Sequence, residues 1–180
     1  MMKPFNSKHI RVLGIAPSSR GFGFALMEGK NVLVNWGIKV VKGGDKNSRC
    51  LANVVNLIAH YEPNVIALEN TRSGGSRRGS RVQRLIQEII ALAKDERINV
   101  KQFSRKELSF GFFSEAQETK HAVAEYLAAR FPEELGLRLP PKRRAWMNED
   151  SRMHIFDAVA LAYHFLRAKS ARNRSSAFTA

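Results

Sequence analysis

Glu69, His154 and Asp157 combine a side chain able to hold a cation with a setting in which such a side chain needs a reason. Glu69 directly follows Val65, Ile66, Ala67 and Leu68, an apolar run of the kind found in a central parallel strand buried on both faces. Asp157 lies inside the apolar stretch HIFDAVALA, and His154, three residues earlier, shares its helix face. Each has a plain explanation on its own: Glu69 as a helix-capping or salt-bridged carboxylate, Asp157 as a polar position on an amphipathic helix. Together they say more, because a buried carboxylate without a partner is costly, and two that must lie near each other imply a cation between them.

The elements that must position these residues can be read from periodicity. Residues 10–16 form a first strand, which turns through Pro17, Ser18, Ser19 and Arg20 into a second strand over 22–28 and a third over 31–41, an antiparallel meander. Leu51, Val54, Val55, Ile58 and Tyr61 recur at helical spacing until Pro63 stops them, and the short strand ending at Glu69 follows. After a loop of glycine, serine and arginine, Val82, Leu85, Ile86, Ile89, Ile90 and Ala93 mark an amphipathic helix, and 98–103 returns as a fifth strand. Residues 104–113 hold a short helix or turn, 119–131 a helix ended by Pro132, and 132–150 a long loop. A last helix runs over 151–166, capped by Asn148 or Asp150. The expected architecture is α/β: one five-stranded mixed sheet, three strands antiparallel and two parallel, with helices on both faces. In such a sheet function gathers at the carboxyl ends of neighbouring central strands. Strand four ends at Glu69; strand one ends at Ala16, which can bind no metal.

Residues 1–9 read as an irregular basic start, 10–168 as one domain and 169–180 as a polar, disordered basic tail. At 180 residues the chain can bury a substantial core. No segment approaches the roughly 20 apolar residues of a membrane span, and no signal-peptide core opens the sequence, so a cytoplasmic protein without a membrane partner is expected. The single cysteine, Cys50, excludes an internal disulfide and a multi-cysteine zinc site, and its helical position suits a buried thiol. The formal charge of +14 favours nucleic acid as the partner, because a basic surface gains from counterion release when it docks on phosphate.

At three places the sequence resembles the RuvC family of Holliday-junction resolvases, within the ribonuclease H-like superfamily. They are GIAPSSRGFGFA, where the family has a glycine, isoleucine, aspartate, proline start; VIALEN, matching an apolar strand ending in glutamate; and HIFDAVALA, matching the last helix. The order and spacing agree over residues 10–168. The resemblance implies a ribonuclease H-like fold and phosphodiester cleavage of branched DNA. Its chemistry would use two divalent cations that activate a water and stabilise the leaving oxygen. Glu69, His154 and Asp157 then occupy three of four catalytic, metal-holding positions. Such ligands favour magnesium or manganese over zinc, with His154 suiting manganese somewhat better.

The fourth position is Ala16, where the loss of a carboxylate weakens metal binding and impairs two-metal cleavage. Ser18, Ser19, Glu149 and Asp150 are nearby oxygen donors that stand off the strand end. Ala16 fits either an introduced substitution or a natural loss, and Ser18, which departs from the family's common glycine, leans towards the second. Lys120, at the start of a helix, is similar to the family's lysine-bearing DNA contact, and the family's habit points to a homodimer. A catalytically inactive nucleic-acid-binding protein on the same fold is the alternative. The motifs do not distinguish DNA from RNA.

Three basic patches are candidate phosphate contacts. Arg72, Arg77, Arg78, Arg81 and Arg84 follow Glu69, interleaved with glycine and serine. Arg105 with Lys106 forms a second patch. Lys142, Arg143 and Arg144 form a third, where Trp146 either stacks on a base or packs under the loop. Phe110, Phe112 and Phe113 suit core packing, a dimer interface or a wedge at a distorted junction.

Overall fold

The computed structural model describes residues 9–72, 78–112 and 119–177. Three antiparallel strands, β1 (Arg11–Ser18), β2 (Gly21–Glu28) and β3 (Val32–Val40), lead into helix α1 (Lys46–Tyr61). Then come β4 (Val65–Glu69), α2 (Ser80–Asp95), β5 (Asn99–Phe103), α3 (Arg105–Phe112), α4 (Lys120–Arg130), the one-turn α5 (Pro132–Leu135) and α6 (Met153–Ala177). The sheet order is β3-β2-β1-β4-β5, with β1 parallel to β4 and β4 parallel to β5. This is the five-stranded mixed sheet expected from the sequence. No helix among the described residues is long and apolar enough to cross a membrane.

Alternation along the strands divides the core in two. Leu13, Ile15, Ile66 and Leu68 face α1 and α2, where they bury Cys50, Val54, Leu85, Ile86 and Ile89. Val12, Ala16, Val65 and Ala67 face α4 and α6, against Leu127, Phe156, Val159 and Leu161. Cys50 is free and buried, and burial pushes its thiol pKa up. Asp45 caps α1, its carboxylate accepting from the Ser48 backbone N–H at 3.0 Å.

Two glycines set how closely α6 lies on the sheet. A Cβ on Gly14 would stand 2.0 Å from the Ala158 carbonyl oxygen, and one on Gly23 the same distance from that of His154. Only glycine permits this approach. It brings the first turns of α6, with His154 and Asp157, down onto the ends of β1 and β2.

Two expectations are corrected. The final helix does not stop at Leu166; its backbone continues helical through Ala177. Residues 167–177 contain neither proline nor glycine, so nothing in them breaks a helix already anchored by its buried first half. The stretch 132–150 is also not all loop, since Pro132 opens α5 and a 3₁₀ turn (Gly136–Arg138) follows. The readings placed on Arg77 and Phe113, and on the side chains of Phe110 and Phe112, lie outside the described residues.

Candidate active site and nucleic-acid interface

Period-two alternation and register together put Ala16 and Glu69 side by side. The parallel ladder of β1 and β4 ends at the pair Ile15 and Leu68, so the next residue on each strand is Ala16 and Glu69. Both belong to the row that faces α6. Asp157, one turn into α6, faces them, and all three line a cavity of about 260 Å³. Leu108, Val123, Phe156, Ala160 and Leu161 make its apolar wall, and Arg105, Thr119 and Lys120 its polar rim.

The carboxylates in this cleft are engaged by the chain's own cations. Arg78 donates to Glu69 Oε2 through Nε at 3.0 Å and through Nη2 at 2.7 Å, while Arg105 Nη2 stands 3.8 Å from Oε1. Lys120 Nζ donates to Asp157 Oδ2 at 2.8 Å and to Glu149 Oε1 at 2.9 Å, tying α4, α6 and the loop before α6 together. Lys120 is the first residue of α4, where the helix dipole disfavours a cation, and its two carboxylate partners offset that cost. Burial would raise the Asp157 pKa, but the charge of Lys120, then His154 beside it and a smaller share from Arg78, outweigh it and hold this carboxyl well below the usual range. Arg78 shows the mirror image. Burial works to discharge it; Glu69, then Asp157 and Glu149, more than restore its charge.

His154 lies outside this cavity. It lines an adjoining groove with Ser18, Ser19, Arg20, Arg78 and Glu149. Its Nδ1 stands 3.8 Å from Asp157 Oδ2, beyond hydrogen-bond reach, and is buried without a hydrogen-bond partner among the described residues. A third groove runs from Lys120 and Arg105 past His121 to Lys142, Arg143 and Glu149. Lys120 lines both the cavity and the third groove, and Glu149 both the third groove and the groove of His154.

No family model matches the sequence, and no curated protein matches it either. Solved structures do match. The Thermus thermophilus RuvC structure aligns over 90% of this chain and 97% of its own, with a TM-score of 0.64 and 19% identity. The same organism's RuvC in complex with a Holliday junction substrate aligns over 91% and 97%, at 0.67 and 18%. The yeast mitochondrial Holliday junction resolvase Ydc2 aligns over 94% of this chain and 84% of its own, at 0.65 and 18%. This chain has the RuvC fold. That fold is the ribonuclease H-like arrangement the three motifs pointed to, and its length is spanned almost entirely.

A RuvC fold raises the question of a two-metal centre, and the residues present do not fit one. Ala16, beside Glu69 and two residues before the end of β1, offers no oxygen. Glu69 Oε2 is taken by Arg78 and Asp157 Oδ2 by Lys120. Of the nearby oxygen donors, Glu149 is paired with Lys120, Asp150 is paired with Arg152 at 2.7 Å, and Ser18 Oγ accepts from the Arg20 N–H at 3.3 Å. No group of three His, Cys, Asp or Glu side chains among the described residues stands close enough to hold a metal ion.

The candidate phosphate contacts also separate. Arg81 points inward, donating to Asn47 Oδ1 at 2.8 Å and to the Ser18 carbonyl, so it braces the end of β1 against α1. Arg78 and Lys120 are committed to carboxylates. Arg72, Arg84, Arg105, Lys106, Lys142, Arg143 and Arg144 are exposed, and of these Arg105, Lys142 and Arg143 line the third groove beside the cleft. Trp146 is 78% exposed with the Arg144 guanidinium 5.5 Å above its ring, so it does not pack beneath the loop. Sequence reasoning missed the pairing of Arg78 with Glu69 and of Glu149 with Lys120. The only available signal was the plain reading of Glu69 as a salt-bridged carboxylate.

Proposed function

We propose that this protein binds branched DNA on the exposed basic rim of its RuvC fold and that its capacity for two-metal strand cleavage is severely impaired. The observation that carries this reading is the cleft itself. Ala16 stands where a carboxylate would be needed, and the remaining acids are paired with Arg78 and Lys120. Two-metal hydrolysis needs a water activated by one cation and a leaving oxygen stabilised by the other, and both tasks require carboxylates free to share the ions. The rim is suited to a different task. Lys142 and Arg143, which line the third groove, make no ion pair among the described residues, and cations left free in this way can neutralise phosphates and release counterions. The exposed indole of Trp146 offers a face for an unpaired base. Branched DNA is preferred because the solved neighbours include a RuvC and a Fowlpox virus resolvase, each in complex with Holliday junction DNA.

A second reading, a magnesium- or manganese-dependent endonuclease of branched DNA weakened by Ala16, draws on His154. Its buried Nδ1 lacks a hydrogen-bond partner and lies 3.8 Å from Asp157 Oδ2, a pair of donors that a metal ion could bridge.

One experiment separates the readings: titration of labelled four-way junction, duplex and single-stranded DNA and RNA with this chain, followed by incubation with magnesium or manganese. The first reading expects tighter binding to the junction than to duplex, a steep loss of affinity with salt, and intact strands. Metal-dependent cutting that Glu69→Gln abolishes would establish the second. Binding indifferent to salt would overturn the phosphate-contact reading altogether.

A further inference from the structure

We infer that Arg78 and Lys120 are built-in counter-ions occupying the place of divalent cations in this cleft, so that restoring an aspartate at position 16 does not by itself create a metal centre. The inference deepens the impaired-cleavage reading and rests on it. Ala16 alone would leave a site one carboxylate short, and Ala16→Asp would be its obvious repair. The geometry goes further than that.

The guanidinium of Arg78 is largely buried, 19% exposed, and places two donors on one oxygen of Glu69. An arginine reaching for a passing phosphate would hold that fork towards solvent. Arg78 interacts electrostatically with the two acids of the cleft, Glu69 most strongly and then Asp157, and with Glu149 beside it. Lys120 bridges the last two. Three carboxylates therefore face two fixed interior cations, and Arg105, 3.8 Å from Glu69, adds a third positive charge at the rim. A divalent ion entering this space meets acids already neutralised and two like charges fixed beside it. It must displace at least one of them, leaving that side chain without its partner in a partly buried setting. Ala16→Asp adds one charge but moves neither cation.

The test is metal binding in the absence of DNA, so its failure says nothing about junction binding. Calorimetric titration with manganese chloride, repeated as the change in unfolding temperature with the same ion, compares the wild-type chain with Ala16→Asp, Ala16→Asp/Arg78→Gln and Ala16→Asp/Lys120→Gln. Wild type and Ala16→Asp are expected to show no saturable heat at millimolar manganese and no rise in unfolding temperature. At least one double variant is expected to bind at least about tenfold more tightly than Ala16→Asp, because a fixed positive charge has been removed. Saturable binding by wild type or Ala16→Asp at least as tight as by both double variants overturns the inference.

A second measurement needs only the wild-type fold: manganese-induced broadening of the side-chain carboxyl signals of Glu69 and Asp157. No more broadening than at exposed acids such as Glu133 supports built-in counter-ions. Selective broadening at Glu69 and Asp157 contradicts them.

Discussion

The cations of this chain occupy two regions that behave oppositely. Arg78 and Arg84 are six residues apart, yet Arg78 is bound into the cleft by Glu69 while Arg84 stands exposed with no ion pair among the described residues. Lys120 and Lys142 repeat the contrast across the groove they both line. Inside the cleft, positive charge meets negative charge in partly buried pairs, where removing one partner strands the other. On the rim it faces water, where it adds little to stability and is free to meet phosphate. A net charge of +14 is thus not one property of the surface. Part of it is internal structure, and only the remainder is available to a ligand.

The contrast between interior and rim can be broken most forcefully at the scaffold. Gly14→Ala drives a Cβ into the Ala158 carbonyl, and the required shift of α6 should cost about 3 kcal/mol or more in urea denaturation. An unaffected midpoint would mean that α6 is not held as closely as described. Within the cleft, Lys120→Ala should cost about 2 kcal/mol, discounted for the partial exposure of the pair. Lys142→Ala should stay within about 0.5 kcal/mol of wild type. If the two lysines prove equal in stability, the division between interior and rim fails.

DNA binding should show the reverse order. Replacing Lys142, Arg143 and Arg144 together with alanine should leave the unfolding midpoint in place while flattening the salt dependence of junction binding. The slope of log affinity against log salt should fall by about 0.9 for each phosphate that is no longer neutralised. Trp146→Ala should weaken binding to junctions with unpaired bases by about fivefold, near 1 kcal/mol, and leave duplex binding unchanged. Fluorescence anisotropy across a salt series reads both.

The pH dependence sharpens the interior side. The Asp157 carboxyl is held below the unfolded value of about 3.9, so its contribution to stability is fully present above that value. It is lost as the pH falls through the depressed folded value. Thermal unfolding scanned downward from pH 5 should therefore show a drop that is smaller in Lys120→Gln than in wild type.

The sequence shows the sheet well because strands announce themselves through alternation and uninterrupted apolar runs. Val65 to Leu68 reads as a central parallel strand, and the structure pairs it with β1, Leu68 opposite Ile15. Glu69 and Asp157 stand out as polar residues in apolar company. The partners of these acids were not legible. Arg78 lies nine residues beyond Glu69, after a glycine- and serine-rich stretch with no periodicity, and nothing in its type distinguishes it from Arg72 or Arg84. Glu149 lies 29 residues from Lys120, and only the folded chain joins them. Arg81 looked like a phosphate ligand by composition and is a brace by geometry. The overlong α6 was readable from the absence of a breaker after Leu166, but the polar composition of those residues pointed to disorder instead.

The most direct test of the central claim, that the interior supplies its own cations while the rim binds DNA, is four-way-junction affinity measured with and without a strong chelator at fixed ionic strength. The account predicts the same dissociation constant in both conditions, with intact DNA recovered after incubation with magnesium. Affinity that collapses on chelation, or junction strands cut by the wild-type chain with magnesium, would contradict it.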